Sequence, residues 1–454
     1  MKATPLQFLS VARAMPRAVE VKLRVLGWRE TYGDYATPEA EGQAARCLDC
    51  GNPYCAVKCP LHNAIPQWLA LLREGRLAEA AELAHATNPL PEICGRVCPQ
   101  DRLCEGACTL ETGFDSVTIG ALEKQIVDSA FAAGWRPDLS DVRPTGRRVA
   151  VIGAGPAGLA CADRLARAGI EAVVFDRHEE IGGLMTFGIP AFKLDKAVVA
   201  QRREVLQGMG VRFELGCEVG RDVSLAVLQR DFDALFVGTG ATLAVNGDLP
   251  GREISGVHQA LPFLVDNTRR LLGLPTHTPF PELAGRRVIV LGGGDTAMDC
   301  VRSAVRLGAA QVRCVYRREE TDMPGSRREV AQARAEGVEF VFRQQPQAIE
   351  AGPGGLAVRV AGTGADAGLD ATLDADTVLL AFGFRASPAP WFAELGIGTD
   401  AQGRVAFAGG LPGQTANPRV FAGGDTARGA DLVVNAVLDG REAGAAIARM
   451  LPSA

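Results

Sequence analysis

Between Val149 and Asp176 the chain reads Val-Ala-Val-Ile-Gly-Ala-Gly-Pro-Ala-Gly-Leu-Ala, then an Ala/Leu/Arg stretch to Gly169, then Ala-Val-Val-Phe-Asp. The short apolar run Val149–Ile152 predicts a buried strand of a parallel sheet, and the Ala/Leu/Arg stretch predicts a helix. Gly153, Gly155 and Gly158 lie where strand turns into helix. The first makes the tight turn, the second admits a pyrophosphate to the backbone, and the third lets helix and strand pack closely. Ala154, Pro156 and Ala157 complete the turn and belong to the same candidate cofactor site. The helix N-terminus offers unpaired N–H groups and a positive dipole end to phosphate. Asp176, at the tip of the second strand, is placed to hydrogen-bond ribose hydroxyls. Glycine is abundant, with 53 residues, so the pattern alone is weak; strand, helix and acid in register make it a dinucleotide site.

The arrangement returns further along. Arg286–Leu291 predicts a strand, and Gly292-Gly293-Gly294-Asp295-Thr296-Ala297 then opens a helix, with the permitted Ala in third place. The following strand, Gln311–Tyr316, ends without an acid: Tyr316 is followed by Arg317 and Arg318. Two guanidiniums in place of a ribose-binding carboxylate favour a 2′-phosphate, so this unit predicts NADP(H) in preference to NAD(H).

Cysteine is concentrated in one place. Of the 12 cysteines, eight lie between Cys47 and Cys108, as Cys47-x2-Cys50-x4-Cys55-x3-Cys59-Pro and Cys94-x3-Cys98-Pro-x4-Cys104-x3-Cys108. A disulfide scaffold suits a small secreted domain, and structural zinc prefers paired Cys-x2-Cys units, of which this stretch has one. Iron–sulfur ligation fits best, because a cysteine run closed by Cys-Pro is similar to the ferredoxin type. The x2, x4, x3 spacing differs from the bacterial ferredoxin form, so that fold is not implied. Eight thiolates suffice for two four-iron clusters. The other four, Cys161, Cys217, Cys300 and Cys314, read as small buried hydrophobes.

With 454 residues the chain has room for two or three domains. A formal net charge of −5 gives no electrostatic case for a nucleic-acid or anionic-membrane partner. No apolar run approaches the roughly 20 residues that span a bilayer. Met1–Pro16 is interrupted by Arg13 and does not read as a signal peptide, so a cytoplasmic protein is expected. Residues 1–46 carry Arg/Glu-rich helical patterning around Trp28 and Tyr32, and Ile65–Ala86 reads as an apolar helical stretch. Trp135–Arg148, with Pro137, Pro144 and Gly146, reads as a linker that sets a boundary near residue 140. Gly182–Pro190 is a glycine-rich loop of the kind that lines a cofactor. Ala351–Asp376 predicts surface hairpins, and Val378–Gly383 another buried strand. Val420–Asp425 delivers an acid at a strand tip, where Asp425 could hold the ribityl chain of a flavin or equally cap the next helix. No Ser/His/Asp or Cys/His arrangement is present, and none of the five histidines is given a role.

Two dinucleotide units, the second nested in the first, with a late Gly-Gly-Asp strand, resemble the adrenodoxin-reductase-like flavoproteins. With the eight-cysteine segment added, the chain resembles the small (beta) subunits of NADPH-dependent glutamate synthases over nearly its whole length. The marks are Thr186-Phe-Gly-Ile-Pro-x-Phe-Lys-Leu-Asp-Lys196, Tyr316-Arg-Arg-x4-Met-Pro-Gly-Ser-Arg-Arg-Glu329 and Asp439-Gly-Arg-Glu442. The resemblance implies an α/β fold with an α-helical iron–sulfur domain at 1–140. An FAD domain would follow at 145–280 and 377–454, with an NADPH domain inserted at 281–376. It implies one 4Fe-4S cluster on Cys47, Cys50, Cys55 and Cys108. A second would use Cys59, Cys98, Cys104 and Glu123, leaving Cys94 as a nearby thiol. Gly183, Leu184 and Lys193 would contact FAD, and one helix would bring Gly424, Asp425 and Val433 against it. Gly294, Asp295, Thr296, Arg317 and Arg318 would contact NADPH, with Ala381, Phe382 and Gly383 near the nicotinamide. The implied partner is a large (alpha) subunit that makes glutamate from glutamine and 2-oxoglutarate. Dihydropyrimidine dehydrogenases and bifurcating ferredoxin:NADP oxidoreductases share the plan. A reading of another class, a non-catalytic protein with idle nucleotide sites, differs in one observable: its flavin would not bleach with NADPH.

Overall fold

The structure is a computed structural model and describes residues 6–352 and 354–451. Its strands are β1 Arg148–Ile152, β2 Glu171–Asp176, β3 Arg212–Leu215, β4 Ala234–Val237, β5 Leu243–Ala244, β6 Val257–Gln259, β7 Arg287–Leu291 and β8 Gln311–Val315. They continue as β9 Glu339–Val341, β10 Gln344–Gly352, β11 Gly355–Gly362, β12 Ala371–Ala375, β13 Thr377–Leu380, β14 Phe384–Arg385 and β15 Val420–Ala422. Two five-stranded parallel sheets dominate. The first has the order β15-β4-β1-β2-β3 and the second β6-β13-β7-β8-β9. Central strands are apolar throughout because helices cover both faces of such a sheet; Val149 to Val151 and Val288 to Leu291 are buried. The last strand of the first sheet, β15, comes after the whole second sheet, so the second unit is nested in the first.

The strand assignments shift the expected domain limits. Val378 lies on β13, which runs between β6 and β7 of the second sheet, with Val378 opposite both Val257 and Ile289. The second unit therefore spans β6 to β13, wider than 281–376. The two-stranded antiparallel pair β5–β14 marks where the chain leaves the first unit and returns. A buried apolar run identifies a central strand but not the sheet it joins. The expected hairpin stretch Ala351–Asp376 falls in the antiparallel sheet β10-β11-β12, whose first strand begins earlier, at Gln344.

Ahead of β1, the described residues are helices and loops. The apolar stretch after Ile65 is two helices, Ile65–Arg73 and Leu77–Thr87, separated at Gly75, whose φ of +73° suits glycine. Residues 25–36 contain no helix, contrary to their patterning; Tyr32 instead bridges Ala18, and Thr31 N–H donates to the Phe192 carbonyl. Long-range contacts to the loop of the first unit override local helix propensity here. The helix Ile119–Ala132 is buried along most of its length. Leu61, Leu90, Ile93 and Cys94 share one hydrophobic core with β1, β2 and the helix Pro156–Arg167. Buried Arg202 pairs with Glu92 across the same junction.

Candidate cofactor and iron–sulfur sites

The first glycine turn has the geometry its chemistry needs. Gly153 has φ +108°, which a side chain resists, and a Cβ on Gly158 would lie 1.9 Å from the Gly153 carbonyl oxygen. A Cβ on Gly155 would meet no protein atom within 4 Å: the space beside it is free for a ligand. Pro156 opens the helix at its first position, where its missing N–H costs nothing. Asp176 accepts from the N–H of Ala154 at 2.7 Å and from that of His178 at 2.8 Å. A carboxylate has about four acceptor positions, so capacity remains for ribose.

Other candidate residues gather on this turn. The Gly182 N–H donates to the Ala154 carbonyl at 2.7 Å, and a Cβ on Gly183 would come 3.1 Å from the Gly155 Cα. Leu184 starts the short helix Leu184–Phe187 beside it. A Cβ on Gly424 would lie 2.9 Å from the Ala157 Cβ, so the turn after β15 also abuts the helix start. Burial, together with the nearby Asp431 and Asp439 carboxylates, pushes the Asp425 carboxyl up to about 7. Asp425 and Val433 do not share one helix. The chain makes Asp425–Arg428, breaks at Gly429 with φ +84°, and resumes as Val433–Met450. Thr239 and Thr426, which carry no sequence motif, meet at 3.2 Å between the tips of β4 and β15.

Lys193 is drawn elsewhere. Its ammonium pairs with Asp299 at 2.8 Å and approaches Glu329 at 3.8 Å, both in the second unit. Burial would lower its pKa, but the facing carboxylates outweigh this and raise it. Lys193 thus ties the loop of the first unit to the helix Asp295–Arg306.

In the second turn, Gly292 has φ +142° and packs against the Ala381 carbonyl, while the ring of Tyr316 fills the space where Gly293 lacks a side chain. Gly294, like Gly155, borders open space, its nearest contact being Pro324 at 4.0 Å. The segment before the helix Arg327–Ala335 folds back over the turn: Gly325 N–H reaches the Gly293 carbonyl and Ser326 N–H reaches Asp295. Thr296 lies in the first turn of the helix, and Ala381, Phe382 and Gly383 follow β13 at the same sheet edge. Arg317 and Arg318 are exposed, and neither guanidinium has a partner among the described residues. Two free cations after the strand tip, where the first unit has Asp176, fit NADPH.

The eight clustered cysteines line two neighbouring cavities. The inner one, partly open to solvent, is walled by Cys59, Cys94, Cys98, Cys104, Glu123 and Val434, among others. The outer one is walled by Cys47, Cys50, Cys55, Cys108 and exposed Tyr54. Ile119 lines both. All eight are free of disulfides. Among the described residues, no three His, Cys, Asp or Glu side chains converge as a single ion requires. Sulfurs spread around a cavity suit a multi-iron cluster. Burial pushes the Cys47 and Cys59 thiols up to about 11 and Cys55 to about 12. Positive φ at Asp49 and His62 turns the backbone around Cys47 and Cys59, and the Asp49 N–H reaches the Cys47 Sγ at 3.5 Å. Burial likewise raises the Glu123 carboxyl to about 8, against two hydrogen bonds from Asn88 and Asn63 that lower it. Those two asparagines belong to no motif; their only sequence signal is nearness to Cys59 and Cys94.

Nested parallel sheets, two phosphate-accepting glycine turns and cysteine-lined cavities define a pyridine-nucleotide flavoprotein oxidoreductase with an iron–sulfur domain. Residues 147–440 match the pyridine nucleotide-disulphide oxidoreductase family, and residues 24–135 match dihydropyrimidine dehydrogenase domain II, 4Fe-4S cluster. The chain belongs to the family of glutamate synthase (NADPH) small chains. It is 53% identical to that of Escherichia coli (strain K12) over 96% of this chain and 97% of the relative. It is 43% identical to that of Azospirillum brasilense over 96% and 94%. Among solved structures, Mycobacterium tuberculosis FprA in complex with NADPH shares the fold, with a TM-score of 0.52 at 18% identity, over 68% of this chain and 86% of that one.

Proposed function

We propose that this chain is the electron-input subunit of a glutamate synthase: it oxidises NADPH and delivers the electrons to a large subunit. Bound FAD supplies hydride acceptance and single-electron release, and two 4Fe-4S clusters supply one-electron conduction. The protein's part is binding and alignment. Gly153–Gly158, Asp176, Gly183, Leu184, Gly424, Asp425 and Val433 hold FAD. Gly292–Thr296, Arg317, Arg318 and Ala381–Gly383 hold NADPH. Cys47, Cys50, Cys55 and Cys108 hold the outer cluster, and Cys59, Cys98, Cys104 and Glu123 the inner one. No side chain is needed as general acid or base.

One observation carries this reading. The inner cavity is walled by Val434, one residue into the helix that starts at the FAD site, and it shares Ile119 with the outer cavity, which opens at Cys50 and Tyr54. This adjacency supports a path for electrons from flavin through the inner and outer cavities to the surface. The described residues contain no helix long and apolar enough to cross a membrane.

The test is anaerobic purification from native cells. Rapid bleaching of bound flavin by NADPH, with a large chain that makes glutamate from glutamine and 2-oxoglutarate co-purifying, is expected. A flavin inert to NADPH refutes the catalytic reading. A pyrimidine-reducing partner or a small flavoprotein partner refutes the assignment to glutamate synthesis.

A further inference from the structure

The inner cavity offers five candidate iron ligands, Cys59, Cys94, Cys98, Cys104 and Glu123, for the four corners of one cluster. What their donor atoms already hold separates them. Oε1 of Glu123 accepts two hydrogen bonds, from Asn63 Nδ2 at 2.8 Å and from Asn88 Nδ2 at 3.0 Å. Oε2 accepts none among the described residues. Both amides are buried, and each is held in orientation by its own oxygen. Asn63 Oδ1 accepts from the Thr87 hydroxyl at 3.0 Å, and Asn88 Oδ1 from the Leu90 N–H at 3.0 Å. Because a backbone N–H can only donate, Asn88 must turn its NH2 toward Glu123. Cys94 Sγ also faces Asn88 Oδ1, at 3.7 Å, as a thiol donor would.

We infer that Asn63 and Asn88 are positioning residues that clamp Glu123 by Oε1 and leave Oε2 for iron, with Cys94 as a hydrogen-bond donor to Asn88. This rests on the reading that Glu123 is the fourth ligand of the inner cluster. Two donors on one oxygen draw off part of the carboxylate's charge, making the site easier to reduce. Outer partners of metal ligands commonly act in this way.

The test uses the full chain, purified anaerobically with its flavin, and redox titration followed by EPR. Asn63→Ala and Asn88→Ala are each expected to keep the outer signal and flavin. Each should disfavour reduction of the inner cluster about tenfold, which for one electron is about 59 mV downward. Cys94→Ala is expected to retain wild-type iron content and EPR line shape. Unchanged inner potentials in both asparagine variants overturn the clamp, and iron loss in Cys94→Ala overturns the assignment of Cys94. If Asn88→Ala sheds the inner cluster, the potential of Asn63→Ala decides. Loss from both variants, with flavin and outer signal intact, is the stronger form of the expected result. Glu123→Gln tests the underlying reading separately. Unchanged iron and EPR there dismiss Glu123 as a ligand, whereas a changed Glu123→Gln spectrum beside unchanged asparagine variants dismisses only the clamp.

Discussion

Two alanines placed three residues apart in the first glycine turn are expected to fail in opposite ways. At Gly158 an added Cβ would sit 1.9 Å from the Gly153 carbonyl oxygen and 3.1 Å from Val151 Cγ1. Neither neighbour can yield: one is backbone, held at φ +108°, and the other is a buried strand residue. Overpacking typically costs about 1–3 kcal/mol, and a clash with backbone belongs at or above the top of that range. At about 2–4 °C per kcal/mol, Gly158→Ala should lower Tm by roughly 6 °C or more. Gly155 differs, with φ −73° and ψ −179°, which any residue adopts, and no protein atom within 4 Å of an added Cβ. Gly155→Ala should leave the flavin-free protein as stable as wild type, or about 0.4–1 kcal/mol more stable through the unfolded chain. The methyl would occupy the approach of the pyrophosphate, so FAD affinity should fall at least about tenfold, close to 1.4 kcal/mol. Thermal melts of flavin-stripped protein and absorbance of released FAD separate the two effects. The reasoning is refuted if Gly155→Ala destabilises the stripped protein as much as Gly158→Ala, or if it binds FAD normally.

Other outcomes follow from the same structure. Replacing Arg317 and Arg318 by Ala should weaken NADPH binding about 10- to 100-fold, at roughly 1.4 kcal/mol per factor of ten, and leave NADH within about twofold; equal losses in equilibrium titrations would remove the 2′-phosphate assignment. Arg302, 1% exposed in its side chain, holds Glu329 at 2.6 Å and Glu336 at 2.8 Å. Arg302→Ala leaves buried carboxylates short of a partner and should cost about 3–5 kcal/mol in chemical denaturation. Burial alone would raise the Glu336 pKa, but hydrogen bonds and charge from Arg302 and Arg306 outweigh it and hold the group at about 2. A depressed carboxylate stabilises the fold above its unfolded pKa and loses that contribution as pH falls from about 4.5 toward 2. Glu336→Gln should therefore be less stable than wild type at pH 7, with a gap that narrows across that window in denaturant melts. Cys50→Ala and Cys98→Ala should each remove about half the bound iron, with different EPR signals lost; loss of all iron in both would mean the two cavities do not load independently.

Much of the chemistry was legible in the chain because it is local. A strand, three small residues and a helix start encode a phosphate turn within a dozen positions, and the residue at the next strand tip selects the ribose. The cysteine run announces iron because few other folds need so many thiols so close together. Long-range packing decided the rest. β13 and β15 look alike in sequence, each a short apolar run ending in small residues, yet one completes the second sheet and the other the first. Apolar periodicity reports that a strand is buried but carries no information about its neighbours. Lys193 reads as a loop residue of the first unit, but its partner Asp299 lies 106 positions away. Nothing in the spacing of Asn63 and Asn88 reveals that their amides meet on one oxygen of Glu123, since that depends on how the loop before Ile65–Arg73, the end of Leu77–Thr87 and the helix Ile119–Ala132 converge. The sequence alone determined which chemical groups this protein brings to a cofactor; the tertiary structure decided which of them meet, because only packing brings Val434 and Ile119 to the wall of one cysteine-lined cavity and Ile119 and Tyr54 to that of its neighbour.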